Sequence, residues 1–211
     1  MELLEVFGND LTVVNAARVS FAKESTEFTI SDEKLINYLA SHKHDSPFFH
    51  PQLRFRIKMP IFVAREWFRH QIGFARNEVS RRYVSDTPEC WIPTLDSLRE
   101  RDPKLKQGSK ETIVCNADYI HKLILNHTDG CISLYTFLLE QNVAPEIARC
   151  VLPQSMMTEF IETGSLAAYA RLYNLRTDPH AQKEIRDFAN QIGKLIEPHF
   201  PISWKALTKM D

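Results

Sequence analysis

The sequence predicts an α+β fold, with a central, mostly antiparallel sheet flanked by helices in a single domain covering residues 1–211. Three observations predict it. First, 211 residues, 44% hydrophobic and 25% charged, suit one domain with a real core and exclude wholesale disorder. Second, Gln52 to Met59 alternates, with Leu53, Phe55, Ile57 and Met59 on one side and Gln52, Arg54, Arg56 and Lys58 on the other. That is a half-buried strand with a basic face. Third, apolar residues recur at helical spacing from Glu111 to Asn126 and from Cys131 to Gln141, predicting core helices broken or kinked at Asp129-Gly130.

The other elements follow in chain order. Residues 2 to 7 form a short apolar strand, and Asn9-Asp10 caps a helix carrying Val13, Val14, Ala16 and Ala17. Ser31 or Asp32 caps a second helix holding Leu35, Ile36 and Leu39. Pro60 suits the first position of a central helix, which Gly73 is placed to stop. Tyr83 to Ile92 contains an extended piece, and Ser97 to Gly108 reads as an exposed, charged connection. A short helix lies between the prolines of Ala144 to Pro153, with Arg149 alone among apolar neighbours, which predicts a paired rather than a solvated arginine. A strand over Met156 to Ile161 precedes a helix that starts at Gly164-Ser165 and runs through Arg176. Asp178-Pro179 then opens the last long helix, which ends near Glu197.

Charge is the most informative feature. Between Arg54 and Arg82 lie seven of the fourteen arginines plus Lys58, opposed only by Glu66 and Glu78, although the whole chain carries a formal charge of -1. Positive charge this local points to an anionic partner. If the central helix runs to Gly73, Arg65 and Arg69 share a face, which costs a few tenths of a kcal/mol in an isolated helix. A bound anion offsets that cost, because guanidinium groups make forked, charge-assisted hydrogen bonds to phosphate and carboxylate. Trp67, Phe68 and Phe74 read as core or wall residues rather than stacking platforms.

Other classes are disfavoured. The start, Met1 to Val6, has no basic region followed by an apolar core, and no apolar run approaches the roughly 20 residues that span a bilayer. Cys90, Cys115, Cys131 and Cys150 form no Cys-x-x-Cys pair and read as reduced, mostly buried thiols of a cytoplasmic protein. His42, His44, Asp45 and His50 hold good metal donors, but no third ligand sits at a recognised spacing, so no metal is expected.

Taken together, the motifs resemble the flavin-dependent thymidylate synthase (ThyX) family over nearly the whole chain. That family's signature is Arg-His-Arg, about seven residues, then Ser, embedded as Asn-Glu-x-Ser-x-Arg-Tyr. Here it stands as Arg69-His70-Gln71, eight residues, then Ser80 within Asn77-Glu78-Val79-Ser80-Arg81-Arg82-Tyr83. Flanking blocks agree in order: Ala16 to Phe21, His44 to Phe48, Pro60 to Arg65, Ala148 to Pro153, and Asn174 to Asp178 followed by His180-Ala181-Gln182.

The resemblance implies a ThyX-like fold and methylation of dUMP to dTMP. The one-carbon unit would come from 5,10-methylenetetrahydrofolate and the hydride from FAD reduced by NADPH. It also implies a homotetramer with shared active sites and small-molecule substrates, with no nucleic acid or membrane partner. By motif position, Glu66, Arg69, Glu78, Ser80, Arg81, Arg82, Arg149 and Arg176 would hold dUMP. Arg176 would also be catalytic, stabilising the uracil ring when N3 loses its proton. Ser46, Arg69, His70, Gln71, Glu78 and Arg171 would contact FAD, and Ser20 and His44 would line the flavin and folate region. Two departures stand out: Gln71 replaces the second arginine of the signature, and the loop after it is one residue longer. The stretch Gly164 to Ala167 also lacks side chains that some members use for FAD, and Arg171 is placed to compensate.

The residues admit three rival readings. Ser80 as a covalent nucleophile would need an adjacent oriented base, and the sequence supplies no obvious triad. A nucleic-acid binder would use Arg54, Arg56, Lys58, Arg81 and Arg82 as a phosphate track, but a pI near 6.7 and the lack of a recognisable binding motif argue against it. A nucleotide-binding member without turnover is motivated by Gln71.

Overall fold

The computed structural model describes residues 1–104 and 108–208. Along them run β1 (Glu2–Phe7), α1 (Asp10–Arg18), α2 (Ile30–Ser41), β2 (Gln52–Pro60), α3 (Ile61–Trp67), β3 (Phe74–Glu78), β4 (Arg99–Arg101) and β5 (Ser109–Ile113). There follow α4 (Ala117–Glu140), α5 (Pro145–Ala148), β6 (Met157–Ser165), α6 (Leu166–Arg176), α7 (Lys183–Ile196) and α8 (Pro201–Leu207). Four strands form a sheet in the order β1-β2-β6-β3. β1 is antiparallel to β2, with Glu2 opposite Arg56, Phe7 opposite Gln52 and a bulge between Leu3 and Glu5. The architecture is α+β, as the sequence predicts.

The chain divides into two compact units: Met1–Ile57, Phe68–Asn77 and Ile161–Asp211 form the first, Lys58–Trp67 and Glu78–Phe160 the second. In the first, Leu53, Phe55 and Ile57 of β2 are buried, as the alternation requires, while Arg54 and Arg56 face solvent. α6 is buried along most of its length, with Leu166, Tyr169 and Leu172 fully enclosed. Its Tyr169 ring meets Phe55 and Phe74 edge-on at 5.2 and 4.9 Å. Ile185, Ala189, Ile192 and Ile196 make the buried stripe of α7.

Capping explains where several helices start. Asn9 caps α1 by accepting the Thr12 N–H at 3.2 Å, while the Thr12 hydroxyl accepts the Asn9 N–H at 3.1 Å. For α2 the cap is Thr29 rather than Ser31 or Asp32. Asp32 sits one turn in, accepts from the Thr29 N–H at 2.8 Å and takes a 2.5 Å ion pair from Arg18, tying the end of α1 to the start of α2. Ser165 caps α6 as expected. Asp178, in contrast, does not open α7: its carboxylate accepts the His180 N–H at 2.8 Å in a local turn, and the helix begins at Lys183. The sequence reading also missed α8.

The second unit corrects more. The connection predicted between Ser97 and Gly108 contains β4, which pairs antiparallel with β5; its residues 105–107 lie outside the described residues. The first residues of the predicted helix, Glu111 to Ile113, are therefore strand, as part of β5. The two predicted helices beyond are one continuous α4, and Gly130 does not break it, because a single helical glycine costs only about 1 kcal/mol against alanine. Nor is α4 a core helix. Thr128 and Tyr135 are its buried residues, while Tyr119, Leu123, Leu134 and Phe137 are exposed. Tyr83 to Ile92 contributes a single bridge, Cys90 to Met156, instead of a strand. The four cysteines are free but not mostly buried: Cys115 and Cys150 are exposed, Cys90 and Cys131 half-buried.

One interaction in the first unit sets the position of α8. The buried Asp10 carboxylate accepts the N–H groups of Ile202 and Ser203 at 3.0 and 2.9 Å, satisfying the first turn of that short helix. Asp10→Ala leaves both donors without an acceptor and should cost about 1–3 kcal/mol. In urea unfolding its midpoint should fall, with Asp10→Asn recovering part of the loss; an unchanged midpoint for Asp10→Ala would remove Asp10 as the anchor.

Candidate active site

The arginine-rich segment does not build one long helix. α3 stops at Trp67, whose side chain is fully buried, and Pro60 closes β2 instead of opening the helix. Arg69 thus lies beyond the helix, and the shared face predicted for Arg65 and Arg69 is not formed. Phe68 to Gly73 is a turn leading into β3. Gly73 adopts φ +83° there, and a Cβ would stand 2.9 Å from that of Ala168 and 3.1 Å from the Ser165 hydroxyl. Its carbonyl accepts the Ser165 N–H at 3.1 Å, seating the turn on the start of α6.

This seating creates a cavity of about 650 Å³ in the first unit, lined by Arg69, His70 and Gln71 from the turn and Arg171, Asn174 and Leu175 from α6. Arg171 donates to the Ile72 carbonyl at 2.7 Å and lies 5.7 Å from the centre of the Phe49 ring. Arg176, half-buried in the last turn of α6, donates its Nε–H to His70 Nε2 at 2.9 Å. The imidazole can accept there only if Nε2 is unprotonated. Desolvation, then the charges of Arg176, Arg76 and Arg171, lower the His70 value from 6.5 to about 4.

Arg76 is the residue that sequence reasoning left without a role. It forms an ion pair with Glu162, whose carboxylate is completely buried in β6, and its guanidinium stacks 4.7 Å from the Phe74 ring and 5.4 Å from Phe68. A signal for it existed. Thr158, Phe160, Glu162 and Gly164 occupy alternate, buried positions of β6, so the one acid among them required a cation.

The remaining predicted residues fall into two groups. Ser20, His44 and Ser46 are exposed in the first unit and do not line the cavity. Lys43 and Asp45, their neighbours, line a second cavity of about 720 Å³, which shares Arg171 and Asn174 with the first. In the second unit Glu78 accepts from the Thr158 hydroxyl at 2.5 Å. Arg81 is bound to the Asp86 carboxylate and carbonyl at 2.7 and 2.6 Å, and Arg82 reaches the Tyr83 hydroxyl at 3.1 Å. The Ser80 hydroxyl accepts the Arg82 N–H at 3.3 Å; no hydrogen bond from a base to it is found among the described residues. Glu66 is half-buried. Arg149 is exposed and donates to the Glu146 carbonyl at 3.3 Å, so it is a surface residue and not the enclosed arginine its neighbours suggest. Among the described residues no group of three or more His, Cys, Asp or Glu side chains is arranged to hold a metal ion.

The depressed His70 value makes a stability prediction. The unfolded chain binds a proton near pH 6.5 and the folded chain only near 4, so stability is lost as pH falls through that window. At about 1.4 kcal/mol per pH unit, discounted for a half-exposed site, the loss is about 1–2 kcal/mol. Denaturation midpoints of His70→Gln should show a correspondingly flatter slope between pH 6.5 and 4; a slope equal to that of the unmutated chain would contradict the assignment.

Comparison with known proteins places this geometry. Residues 2–202 match the family model described as thymidylate synthase complementing protein. Flavin-dependent thymidylate synthase from Thermotoga neapolitana is 40% identical across 99% of this chain and 90% of its own, and that from Thermosipho melanesiensis 38% across 100% and 91%. Among solved structures, the UMP/dUMP methylase PolB from Streptomyces cacaoi bound with 5-Br dUMP superposes with a TM-score of 0.86 at 30% identity, covering 98% of this chain and 93% of that one. Matched along almost its entire length by the family model and by these relatives, the chain belongs to the flavin-dependent thymidylate synthase family.

Proposed function

We propose that this chain, acting as one domain over residues 1–211, methylates dUMP to dTMP. It takes the one-carbon unit from 5,10-methylenetetrahydrofolate and the hydride from FAD reduced by NADPH. The observation that carries the reading is the cavity of the first unit. Its lining includes two guanidiniums, Arg69 and Arg171, a histidine held neutral and no carboxylate, so it suits a pyrophosphate. FAD, when bound, supplies the hydride chemistry; the chain binds, orients and sets the charge around it.

In this reading Arg69, His70, Gln71 and Arg171 face FAD, with Ser46 and Glu78 adding contacts and Ser20 and His44 flanking the flavin and folate. Glu66, Arg69, Glu78, Ser80, Arg81, Arg82 and Arg149 hold dUMP, the arginines and Ser80 chiefly at its phosphate. For Arg81 a phosphate must displace Asp86. Arg176 sets its guanidinium against the uracil ring, where charge develops as N3 loses its proton, lowering the barrier to a nucleophilic C5. Ser80 serves as a contact and not a nucleophile.

A homotetramer with shared sites is supported by α4. Tyr119, Leu123, Leu134 and Phe137 recur on one face of the helix, and a Cβ on Gly130 would meet nothing within 4 Å, so a second copy has room to approach. A nucleic-acid track is less well supported, because Arg54 is paired with Glu5 and Lys58 with Glu89. No helix among the described residues is long and apolar enough to cross a membrane; a cytoplasmic enzyme is the proposal that accords with this.

The direct test is product analysis. Chain incubated with FAD, NADPH, methylenetetrahydrofolate and dUMP should yield dTMP, with UMP run in parallel because PolB is a UMP/dUMP methylase. No methylated product from either nucleotide would overturn the reading. Gln71→Arg should restore a charge to the cavity and tighten FAD binding by about threefold to tenfold, the lower range for a charge-assisted contact at an exposed site; titration of flavin fluorescence measures it. For the assembly, Leu123→Glu with Phe137→Glu should shift the mass seen by light scattering from tetramer to smaller species, and an unaltered tetramer would place the interface elsewhere.

A further inference from the structure

We propose that His70 is a positioning residue for Arg176, holding that guanidinium in place through a neutral imidazole protonated on Nδ1. The proposal rests on the reading of Arg176 as the group set against the uracil ring, and it gives His70 a task beyond contact with the cofactor. The carrying observation is the 2.9 Å hydrogen bond from Arg176 Nε to His70 Nε2, which joins the turn before β3 to the last turn of α6. Arginine has no acceptor and cannot shed its proton at working pH, so it must donate. The opposite tautomer would face two donors toward each other, and an imidazolium would add a like charge at hydrogen-bond distance.

The surroundings enforce the neutral form. Arg76 from β3 and Arg171 and Arg176 from α6 all bear on the ring, and Arg69 precedes it in its own turn. The cavity lining around the ring holds no carboxylate, and Glu162 of β6 is paired with Arg76. A protonated His70 would therefore stand among four guanidiniums. Anchoring through Nε also restricts the final torsions of Arg176, so the plane of the guanidinium is set by the imidazole rather than left to rotate. Pre-set direction is what a charge-stabilising group needs, since a misplacement of about 1 Å can cost on the order of a hundredfold in rate.

Two measurements test this on the full chain. In ¹⁵N-histidine-labelled protein, the His70 signals are identified by their loss in His70→Gln. They should show Nδ1 protonated and Nε2 bare at pH 7, with no titration down to pH 5. Titration near 6.5, or a proton on Nε2, overturns the proposal whether or not the enzyme turns over. The kinetic arm compares His70→Gln, whose amide oxygen can accept, with His70→Phe, which cannot. At saturating FAD, kcat for dUMP should fall about tenfold to a hundredfold in His70→Phe. It should recover in part in His70→Gln, and the fold-loss of kcat in His70→Phe should exceed any fold-rise in its FAD Kd. In an Arg176→Lys background His70→Phe should add little, as expected for two residues acting through one contact. A raised FAD Kd with normal kcat would make His70 a cofactor contact only. Unmutated chain inert toward dUMP, with the Nδ1–H tautomer observed, would instead count against the functional reading and leave the His70–Arg176 contact standing.

Discussion

The first unit depends on one buried charge. Glu162 has no exposure to solvent, and a carboxylate in that position is retained only if a cation comes to it. Arg76 comes, clasped between the Phe68 and Phe74 rings, and removing either partner of such a pair costs about 3–5 kcal/mol. The pairing draws β3 onto β6. Gly164 permits it, since a Cβ there would stand 2.5 Å from the Phe74 ring. Once β3 is placed, the turn from Phe68 to Gly73 has nowhere to go but over the start of α6, and the cavity follows.

That arrangement concentrates positive charge without a resident counter-ion in the cavity lining. Arg69 and Arg171 face one space, Arg176 lies behind His70, and Arg76 is close enough to help hold the imidazole neutral. Charges gathered this way repel one another, and a bound anion relieves the repulsion, so ligand binding should also raise stability by mass action. In the proposed reading, binding and folding share the same residues. Gln71 moderates the charge, and Arg171, tied to the Ile72 carbonyl, restores a guanidinium from the other wall.

Much of this was legible in the sequence because it is local. The alternation of β2, the Asn9 and Ser165 caps and the clustering of arginines each depend on near neighbours, and each is observed. What depends on distant partners was not legible. α4 was read as core because apolar periodicity marks a face without saying what covers it, and within this chain that face is exposed. Arg149 was misread for the same reason. The helix predicted through Arg69 ends at Trp67 because tertiary packing, not propensity, sets its length. Arg76 and Glu162 are 86 residues apart, and only the fold shows that one answers the other. Arg69, His70, Gln71 and Arg171, singled out by motif resemblance and charge, nevertheless line one cavity.

The proposed function requires the charged cavity to bind a flavin, and requires the reduction of that flavin to respond to the nucleotide. Anaerobic visible absorbance tests it most directly, with FAD added to the purified chain and NADPH then introduced with and without dUMP. A bound-flavin band that bleaches faster when dUMP is present is the predicted result. A chain that stays colourless and takes up no FAD would contradict the account.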